Sequence, residues 1–366
     1  MSEWKEYKLG EIAVLNYGKA LAENKRISGN VPVYSSAGIT GWHNEPLVNS
    51  EGLIIGRKGT IGKVYYSNTP FFCIDTAYYI LPNEKIYDLK FLFYKLKTVG
   101  FEDLNEDSAV PGLNRETAYN QEVLLPQLPE QKAIASVLSS LDNKIDLLHR
   151  QNSTLEKMAK TLFRQWFIEE AKEREKTKIG LVLETVLGGT PSTKKPEYWD
   201  GTIPWINSGE VNNFRILKPT KFITELGLAE SNTKLLPIGT TVLAITGATL
   251  GQISLLEIST CANQSVVGII PNETYPKEYV FLWIKYMIDE IILNETGGAQ
   301  PHINKNDVNE TEILVPCNDD LEFIESKIKP LFKKISINSF QINTLIELRD
   351  SLLPKLMSGE ITVNQG

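Results

Sequence analysis

Few segments of the sequence place residue types at spacings that support catalysis. The segment from Gly56 to Lys63 is similar to a phosphate-binding loop, in which glycines let backbone N–H groups surround a phosphate and a lysine neutralises it. Its second glycine comes one residue too late, and Val64 stands where that motif requires Ser or Thr. We therefore interpret the segment as a tight glycine turn between strands, with Arg57 and Lys58 exposed.

Two further patterns give little support for catalysis or metal binding. Asn68-Thr69-Pro70-Phe71 is similar to the Asn-Pro-Pro-Phe/Tyr motif of adenine methyltransferases, but Thr69 interrupts it and no glycine-rich cofactor loop precedes it. The chain contains only three histidines, His43, His149 and His302, which is a weak basis for a metal site or a catalytic triad. We expect no catalytic residue, no metal and no cofactor in this chain.

The polar loops of the chain fit hydrogen bonding to nucleic-acid bases better than they fit catalysis or metal binding. Arg and Lys pair with guanine, Asn and Gln with adenine, and Ser and Thr with either, while glycine turns approach phosphates. In the first half of the chain the candidate contacts are Ser35, Ser36, Trp42, His43, Arg57, Lys58, Asn114 and Arg115. In the second half they are Lys194, Lys195, Asn207, Ser208, Thr246, Thr249, Gln252, Gln300, His302, Asn304 and Lys305.

For each of these residues, turn chemistry or a solvated surface is the alternative interpretation. Asn114 and Asn304 are alternatively helix N-caps, because Glu116 and Asp307 follow at positions that suit the first turn of a helix. The loops occupy the same place in both halves, which favours DNA contact for the loops as groups.

The elements that carry these loops occur twice, about 190 residues apart. The matched segments are Ile55–Val64 with Ala244–Ile253, Ala109–Asn114 with Ala299–Asn304, and Glu122–Pro126 with Glu312–Pro316. The period is too long for a solenoid, whose units span roughly 20–50 residues. It indicates a duplicated domain, and a chain of two equivalent halves suits a target with two-fold character, such as duplex DNA.

Each half has the pattern of a mixed α/β domain. Helices are predicted at Leu89–Thr98 and Lys277–Leu293. The second half also carries an extra stretch of about 17 residues near Lys194–Asp200. Short β-branched or aromatic runs between turn residues predict strands at Leu53–Ile55, Lys63–Tyr66, Ala77–Leu81, Thr241–Ile245 and Val266–Ile270.

A heptad pattern follows each half, with apolar residues at alternating steps of four and three. The two seams keep one register, shifted by 190 residues, which favours their pairing with each other. Asn152 and Asn338 interrupt them; a buried Asn fixes register at some cost in stability, and the open alternative is a frayed or partner-facing position. The seam residues are Ile134, Leu138, Leu141, Ile145, Leu148, Leu155 and Leu162 in the first helix, and Ile324, Ile328, Leu331, Ile335, Ile342, Leu345 and Leu352 in the second.

The order of the elements determines the direction of pairing. The first helix leads from domain one to domain two, so a paired second helix runs back toward domain one and the coiled coil is antiparallel. About 33 residues at about 1.5 Å each give a rod of about 50 Å. We predict an α/β (α+β) fold of two duplicated domains joined by two long helices, with pseudo-two-fold symmetry. The expected segments are domain one at 1–127, helix one at 128–176, domain two at 177–318, helix two at 319–358 and a C-terminal tail at 359–366.

Composition and charge limit the classes of protein to consider. Hydrophobic residues make up 42% and charged residues 23%, and no apolar run approaches the roughly 18 residues of a membrane span. The acidic N-terminus does not look like a secretory signal, and the three scattered cysteines fit a reducing cytoplasm better than a disulfide framework or a zinc site. The net charge of -7 predicts weak DNA affinity for the chain alone, so that a partner would supply much of the attraction.

Four segments carry a resemblance that covers essentially the whole chain. They are Leu128-Pro129-Glu130-Gln131-Lys132-Ala133-Ile134-Ala135, Thr161–Phe167, Gln300–Asn304 and Leu352–Ile361. With these segments and its duplicated plan, the chain resembles the specificity subunit of type I restriction–modification enzymes. One departure is that the entry to helix two, Cys317–Leu321, lacks the Pro-x-x-Glu-Gln pattern of the first copy.

The resemblance implies a subunit without chemistry of its own. In that family, two target-recognition domains read a bipartite double-stranded DNA site with a non-specific spacer. The subunit docks two methyltransferase subunits and, with them, the motor–nuclease restriction subunits, so S-adenosylmethionine and ATP are expected on the partners. Candidate docking positions are Lys144, Arg150, Lys157, Arg164, Lys327, Lys333 and Lys334, for which solvated coiled-coil positions are the alternative.

Two other functions fit the same sequence. One is the recognition component of a related restriction system with a fused nuclease–methyltransferase partner. The other is a coiled-coil scaffold whose α/β domains bind protein or glycan, which predicts no DNA retention even with methyltransferase partners present.

Overall fold

Two structural units share the long helices of the chain in this computed structural model, which describes residues 4–104, 112–170, 174–293 and 303–363. Unit 1 comprises Met1–Ile145 and Thr344–Gly366, and unit 2 comprises Asp146–Asn343. Both boundaries fall inside long helices, so each long helix begins in one unit and ends in the other. Among the described residues, no helix combines the length and the apolar character that a membrane span needs.

Unit 1 consists of short strands, three short helices and segments of the long helices. Its strands are β1 (Lys5–Lys8), β2 (Asn16–Tyr17), β3 (Val31–Ser35), β4 (Gly38–His43), β5 (Gly52–Gly56), β6 (Val64–Ser67), β7 (Phe72–Cys73), β8 (Ala77–Ile80) and β9 (Glu122–Leu125). Its helices are α1 (Leu9–Ile12), α2 (Leu89–Leu96), α3 (Arg115–Tyr119) and the first long helix, α4 (Leu128–Arg164), which ends in a π-helical turn at Gln165–Glu169.

Unit 2 begins within α4 and contains a second set of strands and short helices. The strands are β10 (Lys176–Lys178), β11 (Glu184–Leu187), β12 (Trp199–Ile206), β13 (Lys221–Ile223), β14 (Thr241–Ala244), β15 (Ile253–Leu255), β16 (Cys261–Ala262), β17 (Val266–Ile270) and β18 (Glu312–Leu314). The helices are α5 (Ile179–Val182), α6 (Glu225–Ala229), α7 (Lys277–Leu293) and α8 (Lys305–Glu310). The second long helix consists of α9 (Asn318–Phe323), a π-helical turn at Ile324–Ile328, and α10 (Lys329–Ser358).

The two units repeat one strand topology. In unit 1 the strand orders are β1-β9, β2-β8-β5-β6 and β4-β3-β7, and in unit 2 they are β10-β18, β11-β17-β14-β15 and β13-β12-β16. Each three-stranded sheet contains one parallel pair, β3 with β7 and β12 with β16. This repetition confirms the predicted duplication and the mixed α/β fold.

A strand buried on both faces organises each unit. In β5, Leu53 and Ile55 pack into the main core of unit 1, whereas Ile54 faces a smaller core with Phe71 and Cys73. Successive side chains of a strand point to opposite faces, so an unbroken apolar run suits a strand that is covered on both sides. In unit 2, β14 has the same role, because Leu243 joins one core and Val242 and Ala244 join another.

The ends of the long helices belong to the cores of the units. In unit 1, Ile134 of α4 and Leu356 of α10 are buried in the same core as Phe91 of α2. In unit 2, Phe163 of α4 and Ile328 are buried with Tyr279 of α7. Burial of one such side chain contributes about 1.5–3 kcal/mol, so the helices are integral parts of each unit.

The seam residues predicted from the heptads are all buried or half-buried. In unit 2 the helices run antiparallel, because Asn152 contacts Asn338 whereas Trp166, further along α4, stacks on Phe323 with ring centroids 4.3 Å apart. Asn338 Nδ2 donates to Asn152 Oδ1 at 2.9 Å, and Asn152 Nδ2 donates to Ser339 Oγ at 3.2 Å. Both Asn side chains are buried, so they are neither frayed nor partner-facing, and the interpretation as buried Asn residues is confirmed.

The start of the second long helix is capped by Asp320. Its Oδ2 accepts the Cys317 N–H at 2.9 Å, and its Oδ1 accepts the Trp166 indole N–H at 2.8 Å and forms an ion pair with Arg174 at 2.9 Å. The first long helix is fixed differently, because Gln131 Nε2 donates to the Pro126 carbonyl at 2.9 Å. At the start of the second long helix, the Asp320 carboxylate therefore takes the place of the Glu-Gln pair that begins the first long helix.

A small core of unit 2 is formed by residues of β12, β13 and β16, where Trp205, Ile223 and Cys261 are buried. Trp199, which lies in the extra stretch, packs against Trp205 edge to face.

Candidate nucleic-acid interface

A tight turn between β5 and β6 forms the centre of a polar surface in unit 1. Gly59 and Gly62 have φ angles of 78° and 74°, a region that favours glycine. An added Cβ at Gly62 would lie 2.4 Å from the backbone nitrogen of Glu102. The backbone N–H groups of Arg57 and Lys58 both donate to the Thr76 carbonyl, at 2.9 and 3.0 Å, which holds the turn against the loop between β7 and β8.

The turn between β3 and β4 joins the same group. The backbone N–H of Ser36 donates to Thr76 Oγ1 at 3.3 Å, and Ser35 Oγ accepts the Ala37 N–H at 3.1 Å. Both serines are buried, each with 7% of its surface exposed. The structure thus brings the predicted pairs Ser35–Ser36 and Arg57–Lys58 together, but the Ser35 side chain is used within its own turn.

Two arginines meet over one tyrosine ring beside this turn. The guanidinium carbons of Arg57 and Arg115 each lie 5.0 Å from the centroid of Tyr17. Arg57 Nη1 also donates to the Asp75 carbonyl at 2.9 Å. Tyr17 is 47% exposed, so the group lies at the surface.

Trp42 and His43 lie at the other end of the β3–β4 hairpin. His43 pairs with Val31, whereas the turn at Ser35 pairs with Gly38. Four to five residues of strand separate the two ends, or roughly 13–17 Å. His43 is buried and its Nδ1 accepts the Ile27 N–H at 3.0 Å, while Trp42 is 54% exposed. The structure does not bring these two residues to the polar turn.

Asn114 and Asn304 are helix N-caps. Asn114 Oδ1 accepts the Glu116 N–H at 2.8 Å at the start of α3, and Asn304 Oδ1 accepts the Asn306 N–H at 2.7 Å at the start of α8. A capping side chain is committed to the helix backbone. The adjacent Arg115 and Lys305 are the first residues of these helices and keep their charged groups for other partners.

Unit 2 has an equivalent turn between β14 and β15. Gly247 and Gly251 have φ angles of 70° and 79°. Thr249 Oγ1 donates to the Thr246 carbonyl at 3.4 Å, and Gln252 is exposed at the end of the turn. Ile245 occupies the position of Arg57, because its N–H donates to the Ser265 carbonyl and its carbonyl accepts the Ile303 N–H, and the turn that follows carries no charge.

Asn207 and Ser208 follow β12 in the place of Ser35 and Ser36. Asn207 Oδ1 accepts the Gly209 N–H at 2.7 Å, and its backbone N–H donates to the buried Glu210 at 2.8 Å. Thr190 and Gln264 hydrogen-bond to each other through their side chains on the neighbouring loops. This surface presents amide and hydroxyl groups.

The other residues predicted to contact DNA in the second half are Lys194, Lys195, Gln300 and His302. Lys194 is exposed, and Lys195 Nζ lies 3.3 Å from Glu230 Oε2 in the extra stretch of unit 2. Gln300 and His302 lie outside the described residues.

Tyr17 and Thr76 of unit 1 and Gln264 of unit 2 were not predicted from the sequence, whereas Thr190 lies in a loop that the sequence does indicate as a candidate contact. The duplication could have indicated the position of Tyr17. Tyr17 pairs with Tyr78 and Leu187 pairs with Val267, so that Tyr17 and Leu187 lie at matching places in the two sheets. Both strands are followed by a glycine, Gly18 and Gly188.

The polar turns carry side chains that are suited to binding nucleic-acid groups. Burial raises the pKa of the Cys73 thiol to about 12, so it stays protonated and is a poor nucleophile. Among the described residues, no group of His, Cys, Asp and Glu side chains could hold a metal ion. The turns offer arginine, lysine, amide and hydroxyl groups, which are the groups that recognise nucleic acids.

Comparisons with known proteins give one consistent result. The model of the type I restriction modification DNA specificity domain matches residues 1–157 and again residues 171–348. The type I restriction enzyme MjaIX specificity subunit of Methanocaldococcus jannaschii is 25% identical over 338 residues, covering 86% of this chain and 78% of the relative. The HindI specificity subunit of Haemophilus influenzae is 22% identical and covers 99% of this chain and 100% of the relative.

A solved structure supports the fold. The crystal structure of a type I restriction-modification S subunit from M. genitalium superposes with a TM-score of 0.66 at 18% identity, covering 97% of this chain and 96% of that one.

Proposed function

The chain belongs to the type I restriction modification DNA specificity family, and from this premise we propose that each of its units reads one half of a bipartite DNA target. Unit 1 supplies the turns around Arg57, and unit 2 supplies the turns around Thr246. The chain contributes sequence specificity and no catalysis, and S-adenosylmethionine and ATP bind to its partners.

The observation that carries this proposal is the repeated family match together with the repeated topology. The family model matches the chain twice, and each match contains a complete set of three sheets. In each unit the turn after the doubly buried strand lies close to the turn after the first strand of the parallel pair. Two equivalent polar surfaces in one chain suit two half-sites in one duplex.

Methyltransferase partners supply the positive charge that the chain lacks. A net charge of -7 limits the number of phosphates that the chain neutralises alone. The lysines and arginines proposed for docking, such as Lys157 and Lys333, are exposed on the long helices.

Exposed apolar residues on the long helices support two equivalent docking surfaces. Leu147 and Ile337 are 42% and 51% exposed, and Met158 and Leu348 are 47% and 44% exposed. In both pairs the second residue follows the first by the same 190 residues that separate the seams. Apolar side chains that stay exposed at matching positions indicate a partner surface that is used twice, which supports two methyltransferase subunits per chain.

Methylation mapping tests the DNA-reading function. The full chain is expressed with a type I methyltransferase subunit in a host without other methylation, and the methylated positions are sequenced. We expect one bipartite motif that disappears when this chain is omitted. Methylation without a motif, or no retention on DNA with the methyltransferase present, would support the scaffold function instead.

Assembly measurements test the docking surfaces. The double substitution Leu147→Asp and Ile337→Asp places charges on one of the two matched pairs, and we expect native mass measurement to show fewer than two methyltransferase subunits per chain. Ser153→Asp, an exposed polar position on α4, is the matched control and retains two. Unchanged assembly of the double variant would contradict these docking positions.

A further inference from the structure

Tyr17 of unit 1 orders two positively charged side chains at the surface. Arg57 and Arg115 come from different parts of the chain, yet both guanidinium carbons lie 5.0 Å from the Tyr17 centroid. The ring is held in place by Tyr78, whose ring packs edge to face at 5.1 Å. Tyr78 is itself anchored, because its hydroxyl donates to the Leu113 carbonyl at 3.1 Å. We call Arg57, Tyr17 and Arg115 the arginine platform.

The charges of the platform have no acidic partner in the part of the chain that the structure describes. Among the residues that the structure describes, no carboxylate forms a salt bridge with either guanidinium, and Nε of Arg115 is buried without a hydrogen-bond acceptor. Guanidinium groups that have no partner carboxylate keep their donors for an external acceptor.

The geometry of the Arg57 side chain points to a base as that acceptor. The N–H groups of Arg57 and Lys58 are both used by the Thr76 carbonyl, so these two residues contact a ligand through their side chains. Stacking on Tyr17 and the bond from Arg57 Nη1 to the Asp75 carbonyl fix the plane of the Arg57 fork, and a fixed planar fork suits a bidentate acceptor.

Unit 2 lacks this platform although its turns are in the same place. Leu187 stands in the position of Tyr17, Ile245 in that of Arg57, and Lys305 in that of Arg115. The platform is therefore not needed for the fold that both units share. The platform is specific to unit 1, and therefore to the half-site that unit 1 reads.

We propose that the arginine platform recognises a guanine in the half-site of unit 1, with Arg57 as the base-reading residue and Tyr17 as the positioning residue. Arginine pairs with the N7 and O6 atoms of guanine in the major groove, and this pair is the commonest specific contact between side chains and bases. The proposal rests on the proposed function, because it requires that unit 1 reads DNA.

Base preference distinguishes this role from a phosphate contact. After the methylated motif is known, we compare binding of the chain–methyltransferase complex to the motif and to duplexes in which each base pair of one half-site is changed. Arg57→Lys keeps the charge but loses the fork, so we expect discrimination at one G·C pair to fall about 5- to 150-fold, the range of one bidentate contact. The other half-site keeps its preference.

Three further variants act as controls. Lys58→Gln lies on the same turn and removes a charge without a fork, and we expect weaker binding to all sequences alike. Tyr17→Leu introduces the residue of unit 2 and is expected to relax the same G·C position, whereas Tyr17→Phe keeps the ring and restores discrimination. Thermal unfolding of each variant establishes that the fold is intact.

Specific outcomes would overturn the inference. Guanine recognition is contradicted if the half-site that unit 1 reads contains no G·C pair. It is also contradicted if the Arg57→Lys variant binds all duplexes as the wild type does. Uniform weakening by Arg57→Gln without any change of base preference shows a phosphate contact. Absence of any motif in the wild type is a different result, because it contradicts the proposed function itself.

Discussion

Half-buried and buried polar side chains with defined partners connect the recognition domains to the long helices. In unit 1, Tyr94 of α2 donates to Asp142 of α4 at 2.5 Å, and Asp142 accepts from Arg349 of α10 at 2.8 Å. In unit 2, Lys285 of α7 donates to Glu156 of α4 at 2.6 Å. Each network links one domain helix to a long helix. Such contacts are sensitive to mutation, because a partner left buried and unpaired loses its solvation without compensation.

Asp320 is the residue for which this sensitivity is best tested. Asp320→Ala leaves the Trp166 indole N–H, the Cys317 N–H and the Arg174 guanidinium without their shared acceptor. We expect a loss of about 3–5 kcal/mol in the free energy of unfolding, the range for breaking a buried ion pair. Urea unfolding measures it. Asp319→Ala, at the exposed neighbouring position, is expected to change the free energy by about 0.5 kcal/mol or less.

At the scale of elements, the long helices combine an apolar seam with one polar contact. Asn152 and Asn338 are buried and bonded to each other, and Asn338 Oδ1 has no hydrogen-bond partner. Apolar seams tolerate slippage by a heptad, whereas a buried amide pair is satisfied in one register only. The Asn pair therefore reduces stability and selects the register.

Replacing both Asn residues separates these two effects. The single variant Asn152→Leu leaves Asn338 without its main partner and is expected to lose about 1–3 kcal/mol. The double variant with Asn338→Leu is expected to be more stable than either single variant in urea unfolding. It also loses register selection, so that methylation mapping finds more than one spacer. Asn143→Leu, on the exposed side of α4, controls for the added apolar surface. A double variant less stable than both single variants contradicts this account.

The helices also allow a test of spacer length. One heptad inserted between Ile145 and Asp146, and another between Asn343 and Thr344, keeps both seams in phase. Seven residues lengthen a helix by about 10 Å, or about three base pairs of B-DNA. We expect the same half-sites with a spacer about three base pairs longer in the methylated motif. A heptad in α4 alone separates Asn152 from Asn338 and is expected to abolish methylation. An unchanged spacer in the double insertion would show that the helices do not set the distance.

At the scale of the whole molecule, the duplication makes each half-site independent. Exchange of residues 177–318 for the corresponding domain of a relative is expected to change one half-site and leave the other intact. The reason is that this segment contains every strand residue of unit 2 except Lys176, the first residue of β10. Methylation mapping before and after the exchange measures it. A change in both half-sites, or in neither, would contradict independent reading.

Across the whole molecule, some elements were predictable from the sequence and some strand pairings were not. The helix predicted at Lys277–Leu293 has those bounds in the structure, and the strand predicted at Val266–Ile270 does also. These elements follow from local periodicity, which the sequence contains directly. The parallel pairing of β3 with β7 joins segments about 40 residues apart, and no local pattern reports such a register.

The candidate site was harder to predict than the fold for the same reason. Arg57 and Arg115 were identified by residue type, but Tyr17 and Thr76 join them only through long-range strand pairing. Asn114 and Asn304 show the converse, because their local capping signal also fitted a DNA contact. The capping by Asp320 depends on Trp166, which is 154 residues away.

The discontinuity of unit 1 has a consequence for synthesis on the ribosome. Unit 2 is one uninterrupted segment, whereas unit 1 needs Leu356 and Met357, which are buried in its core, and Lys95 donates to the Met357 carbonyl at 2.9 Å. At roughly 5–20 residues per second, about 200 residues are translated in about 10–40 s between the two parts of unit 1. During that interval the first domain lacks side chains that fill its core, whereas unit 2 has all of its own residues as soon as the interval ends. The domain that is translated first is therefore the last to complete its fold.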